Sequence, residues 1–327
     1  MLRFSLLCLL MMASLHGAGP LIIAHRGASA YLPEHTLEAK AMAHALGADY
    51  IEQDVVLSRD GVPIVLHDIH LDTVTDVASR FPARAREDGR FYAIDFDLAE
   101  IRSLRVSERF DPATGAAVYP NRFPVGQGLF RVPTLAEEIE LIQGLNRSTG
   151  RTVGLYPEIK SPAWHRQEGY DISRLVLATL ADYGYSQRSD PVFVQCFDAA
   201  ETRRLREELG TDLRLVQLIG ANSWQESATD YDQLVTREGL ARVARYADGV
   251  GPWIPLIIHG FEANGQPQLT AFMEHARAAG LLVHPFTLRA DALPAGARSY
   301  EHLYAALVEH AGVDGLFTDF PDRRGRQ

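Results

Sequence analysis

Short apolar runs rich in β-branched residues recur along the whole chain, and helical patterns fill most of the gaps between them. The runs are Leu21–Ala24, Tyr50–Leu57, Pro63–Leu66, Val153–Ile159, Val192–Phe197, Leu213–Ile219, Gly249–Trp253, Leu281–Phe286 and Gly315–Thr318. The helical stretches are Glu34–Leu46, Thr134–Leu145, Ile172–Tyr183, Ala199–Leu209, Asp232–Tyr246, Gln268–Ala279 and Tyr300–His310. Pro33 stands at the start of the first, and Gly47, Gly210 and Gly280 stop three of them. Strand and helix in alternation call for a parallel sheet with helices on its faces. Near-continuous apolar strands, buried on both sides, agree. Nine runs are one more than an eight-stranded barrel needs. The runs at 50–57 and 63–66 are separated by only a few residues around Asp60-Gly61, too few for a helical crossover, so one run belongs outside the barrel. The competing arrangement is a doubly wound open sheet, weakened because no G-x-G-x-x-G follows the first run. The expected fold class is α/β, a (β/α)8 TIM barrel.

The rhythm stops between His67 and Thr134. Stretches such as "FPARAREDGR" and "FDPATGAAVYPNRFPVGQG" are rich in Asp, Arg, Pro and Gly and show little apolar periodicity. A compact domain rarely carries so long a structureless loop. The expectation is an inserted cap subdomain at about 69–131, after the third strand, with a short helix near Leu98–Leu104.

The first residues have the form of a secretory signal peptide: Arg3, then the apolar run "FSLLCLLMMASL", then small residues in "HGAGP". The run is shorter than the roughly 20 residues that span a bilayer. Residues 1–18 are expected to be a leader cut near Gly17 or Ala18, which makes the mature chain 19–327 an exported protein. Only Cys196 would then remain, so no disulfide within the chain is expected. With 46% hydrophobic residues the chain can build a large core. A net charge of −10 argues against nucleic acid as a partner, and no second membrane-spanning candidate occurs. A homodimer is left open.

The informative residues stand where polar groups interrupt apolar strands. His25-Arg26 close the first run and His67-Asp68 the third. Glu52 and Asp54 are two apart, hence on one face of one strand, as are Glu158 and Lys160 on another. Gln195 sits within "VFVQCF", and Asp319 follows the last run. In a barrel all these strand ends gather at one mouth, where such enzymes place their chemistry. Three carboxylates, Glu52, Asp54 and Glu158, with neither Cys nor a helical His pair, suit a hard cation: Ca²⁺, with Mg²⁺ also possible. With a divalent ion, Arg26 and Lys160 make the mouth singly positive, matched to a phosphodiester; Asp319 is kept in a supporting role. Two histidines beside this set can act as general acid and general base. Trp164, Trp224 and Trp253 serve equally well as core or as substrate walls.

The ordered set His25-Arg26-Gly27, Pro33-Glu34-x-Thr36, Glu52-x-Asp54, His67-Asp68, Glu158-x-Lys160 and Thr318-Asp319-x-Pro321 resembles the glycerophosphodiester phosphodiesterase family. "YPEIKSP", "QCFDA", "LVQLI" and "GLFTDFPD" are similar to its periplasmic branch in enteric bacteria. Many members carry Asn at the place of His35, and Phe286-Thr287 stands where Trp-Thr is frequent, which leaves an aromatic wall without an indole. The resemblance implies a Ca²⁺-dependent hydrolase that releases sn-glycerol 3-phosphate and an alcohol from glycerophosphodiesters, through a cyclic phosphate. By position, His25 and His67 would be the acid–base pair, with His25 favoured as acid. Glu52, Asp54 and Glu158 would be metal ligands, Arg26 and Lys160 phosphate contacts, and Gln195, Phe286 and Asp319 supporting residues. Two other functions compete: a phospholipase D-like activity on lysophospholipids, which wants an exposed apolar rim on the cap, and a non-catalytic secreted binder, which would not need both histidines.

Overall fold

Eleven strands occur in the computed structural model, which describes residues 19–324; the expected leader lies outside the described residues. They are β1 (Leu21–Ala24), β2 (Tyr50–Leu57), β3 (Pro63–Val65), β4 (Gly154–Ile159), β5 (Phe193–Cys196), β6 (Arg214–Ile219), β7 (Gly249–Pro252), β8 (Ile258–Phe261), β9 (Pro267–Leu269), β10 (Leu282–Val283) and β11 (Gly315–Thr318). Parallel pairing runs β10-β7-β6-β5-β4-β2-β1-β11. The chain leaving β10 nearly closes the ring: Phe317 N–H donates to Pro285 O, and Leu288 N–H donates to Phe317 O. The ninth expected run is β3, antiparallel to β2, so the short Asp60-Gly61 connection is a hairpin, as the crossover argument requires.

Away from the mouth, three elements differ from the sequence expectation. Gln268 begins no helix: it lies in β9, which forms a hairpin with β8, and the helix starts at Phe272. The stretch 232–246 splits into Tyr231–Leu234 and Arg237–Val243, because the Thr236 side chain accepts from Gly239 N–H and starts a new helix. The run at 281–286 is regular strand over Leu282–Val283 alone, and Pro285 offers no N–H to a ladder.

Alternation along the strands decides what enters the barrel. Low in the lumen, Ile23, Tyr156, Phe193, Val216 and Phe317 pack as one apolar cluster, flanked by Tyr50 and Phe286. Tyr156 stacks on Phe193 with centroids 5.0 Å apart. Gly154 points into this layer, where a Cβ would lie 2.2 Å from the Tyr50 ring. Two residues further along the same inward faces come His25, Glu52, Glu158, Gln195 and Asp319. The floor is therefore an aromatic plug and the mouth is polar.

The insertion has its own core, contrary to its polar appearance. Leu71, Val74, Phe91, Phe96, Ile101 and Phe130 pack with Val56, Ile64 and Leu66 of the β2–β3 hairpin. Turns and isolated bridges such as Thr75–Val106 and Val106–Phe130 build it, so no helical or strand period marks it in the sequence. Of its short helices, Leu98–Ser103 stands where expected and carries an Asp97–Glu100 capping box. Trp164 stacks on Tyr92 of the insertion at 5.6 Å and so seats this segment.

His284 lies in the floor, its Nδ1 2.8 Å from Tyr156 Oη, and burial pushes its pKa from 6.5 down to about 3. The unfolded ring takes up a proton that the folded ring refuses, so its stabilising contribution is full above pH 6.5 and is lost as pH falls toward about 3. Urea unfolding of His284→Gln should depend less steeply on pH across that window, by up to ~1.4 kcal/mol per pH unit. A slope equal to that of the unsubstituted protein would rule this out.

Candidate active site

The turn after β1 is strained in a way that serves the mouth. Arg26 (φ 59°) and Gly27 (φ 90°) are both left-handed. For Arg26 this costs about 1–3 kcal/mol. In return its backbone N–H donates to Glu52 Oε2 at 2.8 Å, and its Nη1 reaches both oxygens of Glu34 at 3.0 Å. A Cβ on Gly27 would sit 2.9 Å from the Ala39 carbonyl carbon, so only glycine lets the helix Leu37–Ala45 pack onto the turn. That helix, expected to open at Glu34, is capped by Thr36 and opens at Leu37. Glu34 and His35 are thereby free to turn inward.

Glu52, Asp54 and Glu158 converge, with one oxygen from each within 4.8 Å of the others. The β2–β4–β5 register places Asp54 opposite Glu158, and Glu158 opposite Gln195. Gln195 donates to Glu52 Oε1 at 3.0 Å, and Lys160 pairs with Glu158 at 2.9 Å. His35 Nε2 donates to Asp54 Oδ2 at 2.7 Å, while Lys40 Nζ donates to His35 Nδ1 at 3.1 Å and fixes that tautomer. Lys40 is fully buried and pairs with Glu138 at 3.2 Å. Burial, then the charge of Asp54, pushes Glu52 up to about 8. Burial raises Glu158 well above its ordinary range despite Lys160. Burial would raise Asp54 too, but His35 overrides it and holds Asp54 well below the usual range. Asp54 Oδ1 is buried without a hydrogen-bond partner. Two carboxyls pushed upward and one orphaned oxygen fit a divalent cation, whose charge would favour the ionised form of both.

Each histidine is tied to a carboxylate through Nδ1. His25 donates to Asp319 Oδ1 at 2.6 Å and His67 donates to Asp68 Oδ1 at 2.5 Å. Both rings therefore offer Nε2 to the mouth. Burial, opposed by these carboxylates, lowers both pKa values to about 4. Asp319 stays outside the acidic triad, since its other oxygen is taken by Arg122 at 2.6 Å and Arg289 at 2.8 Å.

A cavity of about 510 Å³ brings these groups together. His25, His67, Glu52, Asp54, Glu158, Arg26, Lys160, Gln195 and Phe286 line it, and Asp319 stands behind His25. Trp224 and Trp253, with rings 5.0 Å apart, line the cavity with Phe286 and so lie outside the core. Lys40, Arg109, Arg122 and Arg289 escaped the sequence argument, and Glu34 entered it only as part of a motif at the start of a helix. None of them ends an apolar strand, and isolated arginines in a polar stretch look like surface residues.

A β/α barrel with a cation site and two carboxylate-held imidazoles at its C-terminal mouth has the form of a hydrolase of anionic substrates. The family profile "Glycerophosphoryl diester phosphodiesterase family" matches residues 25–323, and the chain belongs to that family. It is 46% identical over 319 residues to a glycerophosphodiester phosphodiesterase of Haemophilus influenzae, covering 92% of this chain and 88% of that one. A glycerophosphodiester phosphodiesterase of Treponema pallidum is 40% identical, with 92% and 90% covered. Among solved structures, a Silicibacter pomeroyi protein assigned to the same enzymes superposes with a TM-score of 0.69 at 25% identity, covering 94% and 92%.

Glu52→Gln should weaken the binding of a hard divalent cation about tenfold or more in calorimetry, since such a cation prefers an anionic oxygen. An unchanged affinity would remove Glu52 from the ligand set.

Proposed function

We propose that this mouth hydrolyses glycerophosphodiesters to sn-glycerol 3-phosphate and an alcohol, with Ca²⁺ held by Glu52, Asp54 and Glu158. The observation that carries this is a buried acidic triad facing the same cavity as two imidazoles whose Nδ1 atoms are already committed. The cation would polarise a phosphoryl oxygen and help orient the attacking hydroxyl.

The remaining work falls to the chain's own residues. Arg26 and Lys160 meet the phosphate charge as it develops. The neighbouring glycerol hydroxyl is already placed beside phosphorus, so an internal attack avoids most of the entropic barrier. His67 takes the hydroxyl proton at Nε2, and His25 delivers a proton to the leaving alkoxide. Phosphorus gains one bond to oxygen and loses another, which gives a cyclic phosphate. Water then opens the ring with the two histidines exchanging roles. In the free site both rings are neutral at pH 7 because burial holds them near 4; an adjoining phosphate anion favours protonation of one. Export through residues 1–18 belongs to the same proposal. It expects a mature N-terminus near Gly17 or Ala18 in the periplasmic fraction, and it favours Ca²⁺ over Mg²⁺.

The test is release of glycerol 3-phosphate from glycerophosphoethanolamine, first with chelator and then with Ca²⁺ or Mg²⁺ restored. Release that needs the cation supports the proposal, and no release with either cation refutes it. His25→Ala and His67→Ala should each lower turnover by about 10²-fold or more. Near-normal turnover in either variant would remove that ring from the mechanism.

A further inference from the structure

We propose that the insertion is a working part of the catalytic centre: Arg109 and Arg122 are positioning residues that lock the two carboxylates orienting His67 and His25. The proposal rests on the two-histidine function given above. Asp68 offers one oxygen to His67; its other oxygen accepts from Arg109 Nη1 at 2.7 Å and from Thr73 Oγ1 at 2.8 Å. Asp319 offers one oxygen to His25; its other oxygen accepts from Arg122 Nη2 at 2.6 Å and Arg289 Nε at 2.8 Å. A carboxylate tied by one oxygen can rotate about its Cβ–Cγ bond. Tied by both, it fixes the plane and tautomer of the ring it holds.

The same chain of histidine, aspartate and insertion arginine thus occurs twice, at strand ends far apart in sequence. Both arginines are anchored beyond the aspartates. Arg109 makes a fork on Glu34, at 2.6 and 3.0 Å, and Glu34 also holds Arg26. Arg122 reaches Asp291 at 2.8 and 3.0 Å and the Ser29 carbonyl at 3.3 Å, and its guanidinium lies 3.7 Å from the Tyr119 ring centroid. Its side chain is only 4% exposed and that of Arg109 15%. Burying a guanidinium is costly unless its donors are satisfied, and each of these is satisfied on a histidine-bearing carboxylate. The insertion spans the mouth from β1 to the chain after β10 and so sets both rings at once.

The experiment uses the full chain with Ca²⁺ and glycerophosphoethanolamine. Arg109→Gln and Asp68→Asn should each lower kcat about tenfold or more with little change in KM. The double variant should be no worse than the weaker single, because both changes cut one chain of contacts. Arg109→Lys should restore part of the rate, since an ammonium supplies the charge without the fork. Arg122→Gln should cost less, because Arg289 still holds Asp319, and removing Arg289 as well should reproduce Asp319→Asn. The Nδ1–H tautomer of His67, read by ¹⁵N NMR, should lose population in Arg109→Gln and stay intact in Arg122→Gln. Additive Arg109 and Asp68 effects, or a change in KM alone, would overturn the proposal and leave Arg109 acting on phosphate through Glu34 and Arg26. Should Arg109→Gln fail to fold, the Arg122, Arg289 and Asp319 series decides by the same criterion. Normal turnover in His67→Ala sinks the two-histidine function itself. An inactive His67→Ala with additive arginine effects sinks only the positioning role.

Discussion

Three carboxylates buried within 4.8 Å of one another are the constraint to which the rest of this mouth answers. At an effective dielectric of about 20, like charges at that distance repel by about 3–4 kcal/mol per pair. The surroundings relieve this in different ways for each member. Asp54 is held ionised by His35, itself backed by Lys40; Glu52 accepts from the Arg26 backbone and from Gln195; Glu158 leans on Lys160. Even so, Glu52 and Glu158 remain pushed upward, an arrangement that suits a cation between them. The left-handed Arg26 and His35 are explained by the same demand, since each turns a donor toward the triad.

Around that cluster a second tier of charge holds the rings. Arg26, Glu34, Arg109, Asp68 and His67 form one continuous ladder, and Arg122, Arg289, Asp319 and His25 form another. Both ladders begin in the barrel and pass through the insertion. A segment that resembles a polar cover is therefore joined to the barrel by buried ion pairs as well as by its own apolar core.

What the sequence revealed follows from how each residue signals itself. His25, Glu52, Asp54, His67, Glu158, Gln195 and Asp319 interrupt or end apolar strands, and a polar group in that setting has few explanations besides function. The barrel was legible for the same reason: its strands are short, apolar and evenly spaced, and the hairpin at 57–63 was too tight to be a crossover. The β8–β9 hairpin carries no alternation and was missed. Glu34 and His35 were assigned to a helix that Thr36 in fact begins. Arg109 and Arg122 were invisible because their partners, Asp68 and Asp319, lie 41 and 197 residues away. No local pattern encodes a contact of that separation.

The most direct test is a crystal structure of the protein with Ca²⁺ and glycerol 3-phosphate. The account expects one ion bound by an oxygen from each of Glu52, Asp54 and Glu158 and by a phosphate oxygen. The phosphate should lie within hydrogen-bond reach of Nε2 of both His25 and His67 and beside Arg26 and Lys160. An ion outside the triad, or a phosphate out of reach of either ring, would contradict it.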